Sequence, residues 1–510
     1  MPWLDNFTNE WNAIISRAVL VLNSEALPAV QPSRYRLSTQ HALVMQQQEH
    51  LSRRPNIVLI NCDDVGYGDL GCYGSQKNKT PALDRMAAEG LKFTSFYQAS
   101  PWCSPSRAAL LTGCYPPRIG FTEFDGMPVL FPGDRWGLAS SEVTIARALS
   151  ERGYATQAIG KWHCGDQPDF LPTNHGFDHF FGLPYSNDMG RQVGEIQEGD
   201  RERIKTPPLP LMSDAEVLEQ QPDQASLTAR YVNEAVRFMR ASRHRPFFLY
   251  LAHVYVHLPL YVQQRFTARS ENGVYGAAVE AIDWATDVIL QEIARLGLSN
   301  ETIVIFTSDN GSLAVNGGSN APLRGRKGTT WEGGMRVPCL LRWPGKVAAG
   351  VAVDTVASGI DLFPTLCQLA GITHRPTPEI DGLDLGDLIH GRSTNLMERP
   401  FLFFNRGDLE AIRVGEWKLH FSKSGNEQPL LFDLDRDPSE SIDCFAEQPG
   451  VVARLSSIAN LARSEFGDRR LALQGSAARP IGQVAQARTL TEFDPSHPYY
   501  VAEYDLADRG

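Results

Sequence analysis

Cys103 opens the run Cys103-Ser104-Pro105-Ser106-Arg107, and Ala108-Ala109-Leu110-Leu111-Thr112-Gly113 follows directly. The apolar stretch with a glycine behind it predicts a short helix stopped at Gly113. Pro105 suits a first helical turn, whose N–H groups have no intrahelical partner to lose. Cys103 then stands at the positive end of the helix, where an anion is held. Arg107, four residues on, shares its face. A thiol so placed is either a low-pKa nucleophile or a buried helix-cap cysteine.

Two apolar runs end in the same way. Asn56–Cys62 leads into Asp63-Asp64, and Thr302–Ser308 leads into Asp309-Asn310-Gly311. In an open α/β sheet the carboxyl ends of the strands line the functional crevice, so both polar pairs arrive at one edge. Three carboxylates and one amide oxygen suit a hard divalent cation, Ca²⁺ or Mg²⁺. Either pair alone reads equally well as an Asx turn. Gly160-Lys161-Trp162-His163 also follows a strand. Lys161 and His163, two apart, project to one side of an extended chain. One can supply positive charge and the other can manage a proton, although in isolation they read as a surface lysine and a packed histidine. His253-Val254-Tyr255-Val256-His257-Leu258-Pro259 follows a strand in the same topological position, and Gly325-Arg326-Lys327-Gly328 allows close backbone approach.

Cys-x-Pro-x-Arg followed by a small, apolar run ending in Thr-Gly resembles the maturation motif of the formylglycine-dependent sulfatases, of arylsulfatase and glycosaminoglycan-sulfatase type in the alkaline-phosphatase-like superfamily. The resemblance runs from about Asn56 to about Phe421, with the motifs in the family's order. It implies oxidation of Cys103 to formylglycine, whose hydrate attacks the sulfate ester, with Arg107 activating it. It implies a metal, usually calcium and less often magnesium, held by Asp63, Asp64, Asp309, Asn310 and residue 103. Lys161 and Lys327 become sulfate-binding lysines, His163 the histidine beside the aldehyde, and His257 the leaving-group acid. Ser186, in Leu183-Pro184-Tyr185-Ser186-Asn187-Asp188, resembles a serine offered to the substrate. His253 has no counterpart and reads as structural. The implied partners are a small sulfated substrate of saccharide type and a formylglycine-generating or anaerobic maturation enzyme. Two other readings stand beside this one: a phosphonate monoester or phosphodiester hydrolase of the same superfamily, and a non-catalytic glycan-binding relative.

The elements that must position these residues alternate strand and helix. Helices are predicted over 81–89 (Thr80 as N-cap), 141–152, 225–243 and 275–296, and strands at Asn56–Cys62, 93–97, 155–159, Phe247–Ala252 and Thr302–Ser308. Apolar strands separated by helices predict an α/β fold, a large and mostly parallel sheet sandwiched by helices. After about Arg399 come short alternating strands, 401–404, 411–414 and 417–421, and a helix over 451–465. They predict a smaller C-terminal α+β subdomain with an antiparallel sheet. The expected organisation is an N-terminal extension over 1–54, a catalytic domain over 55–398, and the C-terminal subdomain and tail over 399–510.

The 510 residues carry a net charge of −11, which excludes the broad basic face of a nucleic-acid binder but not a local cationic cleft. Eight cysteines show no Cys-x-x-Cys spacing, which argues against zinc and a disulfide framework. No stretch is apolar enough for a membrane span. The segment 13–22 is broken by Arg17 and reads as an amphipathic helix rather than a cleavable signal, which favours the cytoplasm over the periplasm or secretion. An oligomer is compatible with the sequence. Specificity is expected in rim loops over 120–136, 186–222 and 312–324, where Arg135, Arg191, Arg201 and Arg203 could meet a second acidic group.

Overall fold

The computed structural model describes residues 54–190, 207–372, 378–392, 399–421, 428–494 and 496–498. The chain divides into two units, 1–53 and 54–510, and the second is described here. Segment 13–22 and Arg191, Arg201 and Arg203 lie outside the described residues.

Ten strands form the main sheet: β1 (Asn56–Cys62), β2 (Leu91–Phe93), β3 (Ala155–Lys161), β4 (His179–Leu183), β5 (Pro210–Ser213), β6 (Glu216–Gln220), β7 (Phe247–Ala252), β8 (Thr302–Ser308), β9 (Cys339–Arg342) and β10 (Val351–Val353). Their order is β10-β2-β9-β8-β1-β7-β3-β4-β5-β6. The central five, β8-β1-β7-β3-β4, are all parallel. β9 runs antiparallel beside β8, and β5 and β6 form an antiparallel hairpin beyond β4. Along β1, Ile57 and Leu59 enter one buried cluster while Val58 and Ile60 enter another. The sheet is therefore covered on both faces, the environment that selects unbroken apolar strands.

The helices that matter for the site are α1 (Pro81–Ala88), α2 (Cys103–Thr112), α3 (Ile145–Ser150), α4 (Leu227–Ser242) and α5 (Gly273–Arg295). α2 ends as its sequence indicates: Gly113 is left-handed at φ 70° and its N–H donates to the Ala109 carbonyl. Three local expectations change. The strand expected over 93–97 is split: Leu91–Phe93 joins the main sheet, while Phe96–Tyr97 pairs with Ala357–Ser358. Thr80 precedes α1 but does not cap it; its Oγ1 accepts from the Gly71 N–H and donates to Asp84. α3 begins later than its apolar pattern suggests, because Thr144 caps it by accepting from the Arg147 N–H. A smaller sheet of β11 (Phe401–Asn405), β12 (Asp408–Val414), β13 (Trp417–His420) and β14 (Leu430–Asp433) is wholly antiparallel. It buries Phe401, Phe403 and Ile412 with Leu455 and Ala459 of α6 (Pro449–Phe466).

Gly160, one residue before Lys161, shows how tightly the sheet fixes its own edge. It has φ 102°, and a Cβ there would lie 1.8 Å from the Ala252 carbonyl oxygen. Neither atom can yield, since the backbone of two paired strands fixes the position of both. Gly160→Ala is expected to cost at least about 2 kcal/mol in a denaturant unfolding experiment. Gly74→Ala, also at positive φ but with open space around it, serves as the control for backbone strain alone. Equal unfolding midpoints for the two variants would contradict this reading.

Candidate functional site

Register delivers the site. Cys62 pairs with Ser308 and Asn61 with Ala252, so the residues just past β1, β8 and β7 emerge side by side. The two strand ends are then stitched together. The Asp309 N–H donates to the Cys62 carbonyl at 3.0 Å, and the Val65 N–H donates to Ser308 Oγ at 2.8 Å. The Asp64 N–H donates to Asp309 Oδ1 at 3.2 Å. Asp64 (φ 61°) and His163 (φ 59°) occupy the left-handed region that non-glycine residues avoid. Of the ten non-glycine residues with positive φ among those described, these two lie at this sheet edge, where the chain turns to aim their side chains.

Asp63, Asp64, Asp309 and Cys103 form one buried group, with one ligand atom from each within 4.8 Å of the others. Three cations surround it. Lys161 Nζ lies 2.6 Å from Asp63 Oδ2, and Lys327 Nζ lies 2.9 Å from Asp64 Oδ2. Arg107 grips Asp309 Oδ2 with Nε and Nη2, both at 2.8 Å, while Nη1 donates to the Lys161 carbonyl at 3.0 Å. The helical placement of Cys103 and Arg107 thus works as the spacing implies: Cys103 Sγ lies 3.6 Å from Asp63 Oδ1 while Arg107 reaches Asp309. Asn310 donates through Nδ2 to Asp64 Oδ1 at 2.6 Å, and its Oδ1 is buried with no hydrogen-bond partner. A buried acceptor left unpaired is costly. Here it stands beside three carboxylates, the donor set that a hard cation completes.

Titration behaviour follows from burial and these neighbours. Burial opposes ionisation of Asp63, but Lys161, His257 and Arg107 together outweigh it and hold the carboxyl far below the usual range. Burial pushes Asp309 up to about 7 despite Arg107 beside it. The raised Asp309 carboxyl reflects its removal from water, and a divalent ion bound beside it would favour its ionised form. Burial also raises the Cys103 thiol, and Lys161 and Lys327 offset this only in part. The thiolate nucleophile that the helix terminus suggested is not favoured: desolvation exceeds the pull of the helix and both lysines.

Both histidines converge on the cluster. His163 Nε2 lies 3.0 Å from the Leu130 carbonyl and so carries the proton, leaving Nδ1 buried and unpartnered as the basic atom. His257 Nδ1 lies 2.6 Å from the Leu258 carbonyl, which puts its proton there and leaves Nε2 as the exchangeable site. Burial lowers the pKa of both; Lys161 adds to the effect at His163 and Lys327 at His257. Ser186 Oγ accepts from Lys161 Nζ at 3.2 Å and lies 3.5 Å from His257 Nδ1. His253 is buried with neither ring nitrogen hydrogen-bonded, and burial pushes it down to about 4. Arg135 stacks on Trp136 and pairs with Asp125 at 3.6 Å.

Three supporting contacts carried little sequence signal. Ser106 Oγ donates to the Asp309 carbonyl, and Gln98 Nε2 donates to the Ser308 carbonyl at 2.6 Å. The Leu130 carbonyl that sets the His163 tautomer is backbone, visible to no residue-type argument. Ser106 lay inside the conspicuous motif, and its small polar side chain one turn from Cys103 was the clue available.

Comparison with known proteins agrees with this geometry. The Sulfatase family model matches residues 55–372, and the model for the N-sulphoglucosamine sulphohydrolase C-terminal region matches 326–458. Arylsulfatase A of Homo sapiens is 41% identical over 441 residues, covering 79% of this chain and 85% of its own length. N-acetylgalactosamine-6-sulfatase of Homo sapiens is 39% identical over 455 residues, covering 79% and 84%. A solved structure of Ps i-CgsB in complex with k-i-k-neocarrahexaose superposes with a TM-score of 0.72 at 30% identity, covering 83% of this chain and 95% of that one. The helix-borne cysteine, the two acidic strand ends and the cations between them therefore lie in a chain that belongs to the sulfatase family and is a sulfuric ester hydrolase.

Proposed function

We propose that this chain removes sulfate from a sulfated saccharide, converting R–O–SO₃⁻ and water into R–OH and hydrogen sulfate, with aryl sulfates as surrogate substrates. The observation that carries the reading is the single buried cluster in which Cys103, Arg107, Lys161 and Lys327 surround three carboxylates and an unpaired amide oxygen. The saccharide is supported by one relative named N-acetylgalactosamine-6-sulfatase and by another, Ps i-CgsB, solved in complex with k-i-k-neocarrahexaose.

Cys103 acts in this reading as formylglycine, installed by a formylglycine-generating or anaerobic maturation enzyme. Cys103 is 1% exposed, so that enzyme reaches it before the chain closes. Hydration of the aldehyde gives a gem-diol. One hydroxyl, its pKa lowered by Arg107 so that its proton passes to solvent, attacks sulfur as the S–O bond to the alcohol breaks. His257 gives the departing oxygen a proton from Nε2. His163 Nδ1 then takes the proton of the second hydroxyl. The C–O bond to sulfate breaks, the C=O bond reforms, and sulfate leaves. Lys161 and Lys327 hold the sulfate oxygens, with Ser186 beside them.

Asp63, Asp64, Asp309 and Asn310, with residue 103, would hold a divalent ion. When bound, it supplies counter-charge to the sulfate and acidifies the attacking hydroxyl. All-oxygen donors from the protein side favour Ca²⁺ over Mg²⁺, which prefers to keep several waters. Among the described residues no helix is long and apolar enough to cross a membrane. All eight cysteines are unpaired, which fits a reducing compartment, and we favour the cytoplasm on that ground.

Chelation of Ca²⁺ is expected to abolish turnover and to lower the melting temperature, with both restored on adding Ca²⁺. An ion at 100 times its dissociation constant contributes about 2.7 kcal/mol to the native state. Asn310→Ala should need more Ca²⁺ for both effects. Full activity after exhaustive chelation, or stoichiometric zinc in active protein, would contradict the calcium reading.

The two histidines separate by leaving group. His257→Ala should lose about 10²–10⁴-fold on a sugar sulfate but far less on nitrophenyl sulfate, whose phenoxide leaves unaided. His163→Ala should slow both esters alike. Equal losses on both esters for His257→Ala would remove it from the acid role.

pH dependence provides a further check. His257 must be protonated to act, and burial together with Lys327 sets its pKa below the ordinary 6.5. The contribution of His257 to kcat/KM on the sugar sulfate therefore declines as pH rises through that depressed pKa. A sugar-sulfate profile that keeps rising from pH ~5 to ~8 would exclude this assignment.

A further inference from the structure

The small antiparallel sheet touches the site at one residue whose contacts the mechanism above leaves unused. Asn405, the last residue of β11, accepts through Oδ1 from the indole Nε1–H of Trp102 at 2.8 Å. Its Nδ2 donates to Glu410 Oε1 at 3.0 Å and reaches the Gly328 carbonyl at 3.4 Å. Trp102 is the N-cap of α2, immediately before Cys103, and Gly328 immediately follows Lys327. These two flanking residues also meet each other. The Gly328 N–H donates to the Pro101 carbonyl at 3.0 Å, and a Cβ on Gly328 would lie 2.8 Å from the Trp102 ring. The indole is thus held on one side by the backbone beside Lys327 and at its N–H by Asn405.

The same sheet fixes the Lys327 segment farther along. Glu410 Oε2 accepts from Thr330 Oγ1 at 2.6 Å. Glu332 places Oε1 2.8 Å from Lys418 Nζ, and its N–H donates to Glu440 Oε2 at 2.7 Å. Lys418, Glu332 and Glu440 are all fully buried. Burying such charges is costly, and an apolar contact would hold the two sheets together as well. Their arrangement instead dictates where one particular segment of chain lies.

We infer that Asn405 is a positioning residue: by holding Trp102 and Gly328 together, with Glu410 behind it, it sets the distance between residue 103 and Lys327. This rests on the roles given above to those two residues. The nucleophile and a sulfate-binding cation come from separate elements, α2 and the loop after β8, and no side-chain bond joins Cys103 to Lys327 directly. A displacement of about 1 Å between reacting groups can cost on the order of 10²-fold in rate. A bridge between their immediate neighbours is therefore placed where it affects turnover most.

The test is a double-mutant cycle on the full chain, matured and loaded with Ca²⁺, assayed with nitrophenyl sulfate. Asn405→Ala removes the bridge, and Trp102→Phe removes the indole N–H while keeping a ring against Gly328. Each single variant should lower kcat/KM about tenfold or more, with a weaker inhibition constant for inorganic sulfate. The double variant should be no worse than the worse single, since both remove one interaction. Trp102→Phe keeps the cycle informative on its own if Asn405→Ala folds poorly. An active parent whose variants keep parental kcat/KM and sulfate inhibition, or whose losses multiply in the double variant, overturns the assignment of Asn405 alone. A fully matured parent with no sulfatase activity overturns the functional reading and this assignment with it.

Discussion

Three carboxylates brought together out of water repel one another, and the rest of this structure is arranged around making that tolerable. Asp63, Asp64 and Asp309 are each at most 3% exposed, and each has its own cation: Lys161, Lys327 and Arg107. Buried ion pairs seldom repay their desolvation cost in stability. Asp63 and Asp309 shift in opposite directions: Lys161, His257 and Arg107 outweigh burial and hold the first far below its usual range, while burial raises the second to about 7.

The scaffold meets this demand with rigid elements rather than loops. Parallel strands in fixed register set the two acidic pairs side by side, and the first turn of α2 brings residue 103 to them. Where the chain must turn sharply to aim a side chain, it accepts backbone strain, at Asp64 and His163. Where two segments must nearly touch, it uses glycine: a Cβ on Gly311, next to Asn310, would lie 1.9 Å from the Gly333 carbonyl. The smaller sheet belongs to the same scheme, because Asn405 and Glu332 tie the Lys327 segment to it.

Much of this was legible in the sequence because parallel, doubly covered strands leave unbroken apolar runs with polar residues where they stop. β1, β7 and β8 are read to the residue for that reason, and the acidic pairs behind β1 and β8 follow. The edges were harder. β6 is half-exposed or exposed along its length and largely polar, and β5 is a buried strand of only four residues that begins at Pro210, so 210–220 carries little buried-strand signal. β14 is only four residues long. Thr144 and Thr80 had equal claims as helix caps by residue type, and only the position of Gly71 diverts the latter. Contacts made by backbone, such as Leu130 to His163, or across about 300 residues, such as Trp102 to Asn405, depend on the finished fold. The buried thiol is the instructive case. A helix terminus and two lysines both argue for a thiolate, and only the depth of burial shows that they are outweighed.

That depth bears on the central claim, that residue 103 works as an aldehyde hydrate and not as a thiol. The direct measurement is the mass of the proteolytic peptide carrying residue 103, taken on the same preparation whose specific activity is known. Replacement of the thiol by the aldehyde makes the peptide about 18 Da lighter. Specific activity should then rise in proportion to the lighter fraction as maturation is varied in the expression host. Full activity in a preparation whose residue 103 is entirely unmodified cysteine would contradict the account.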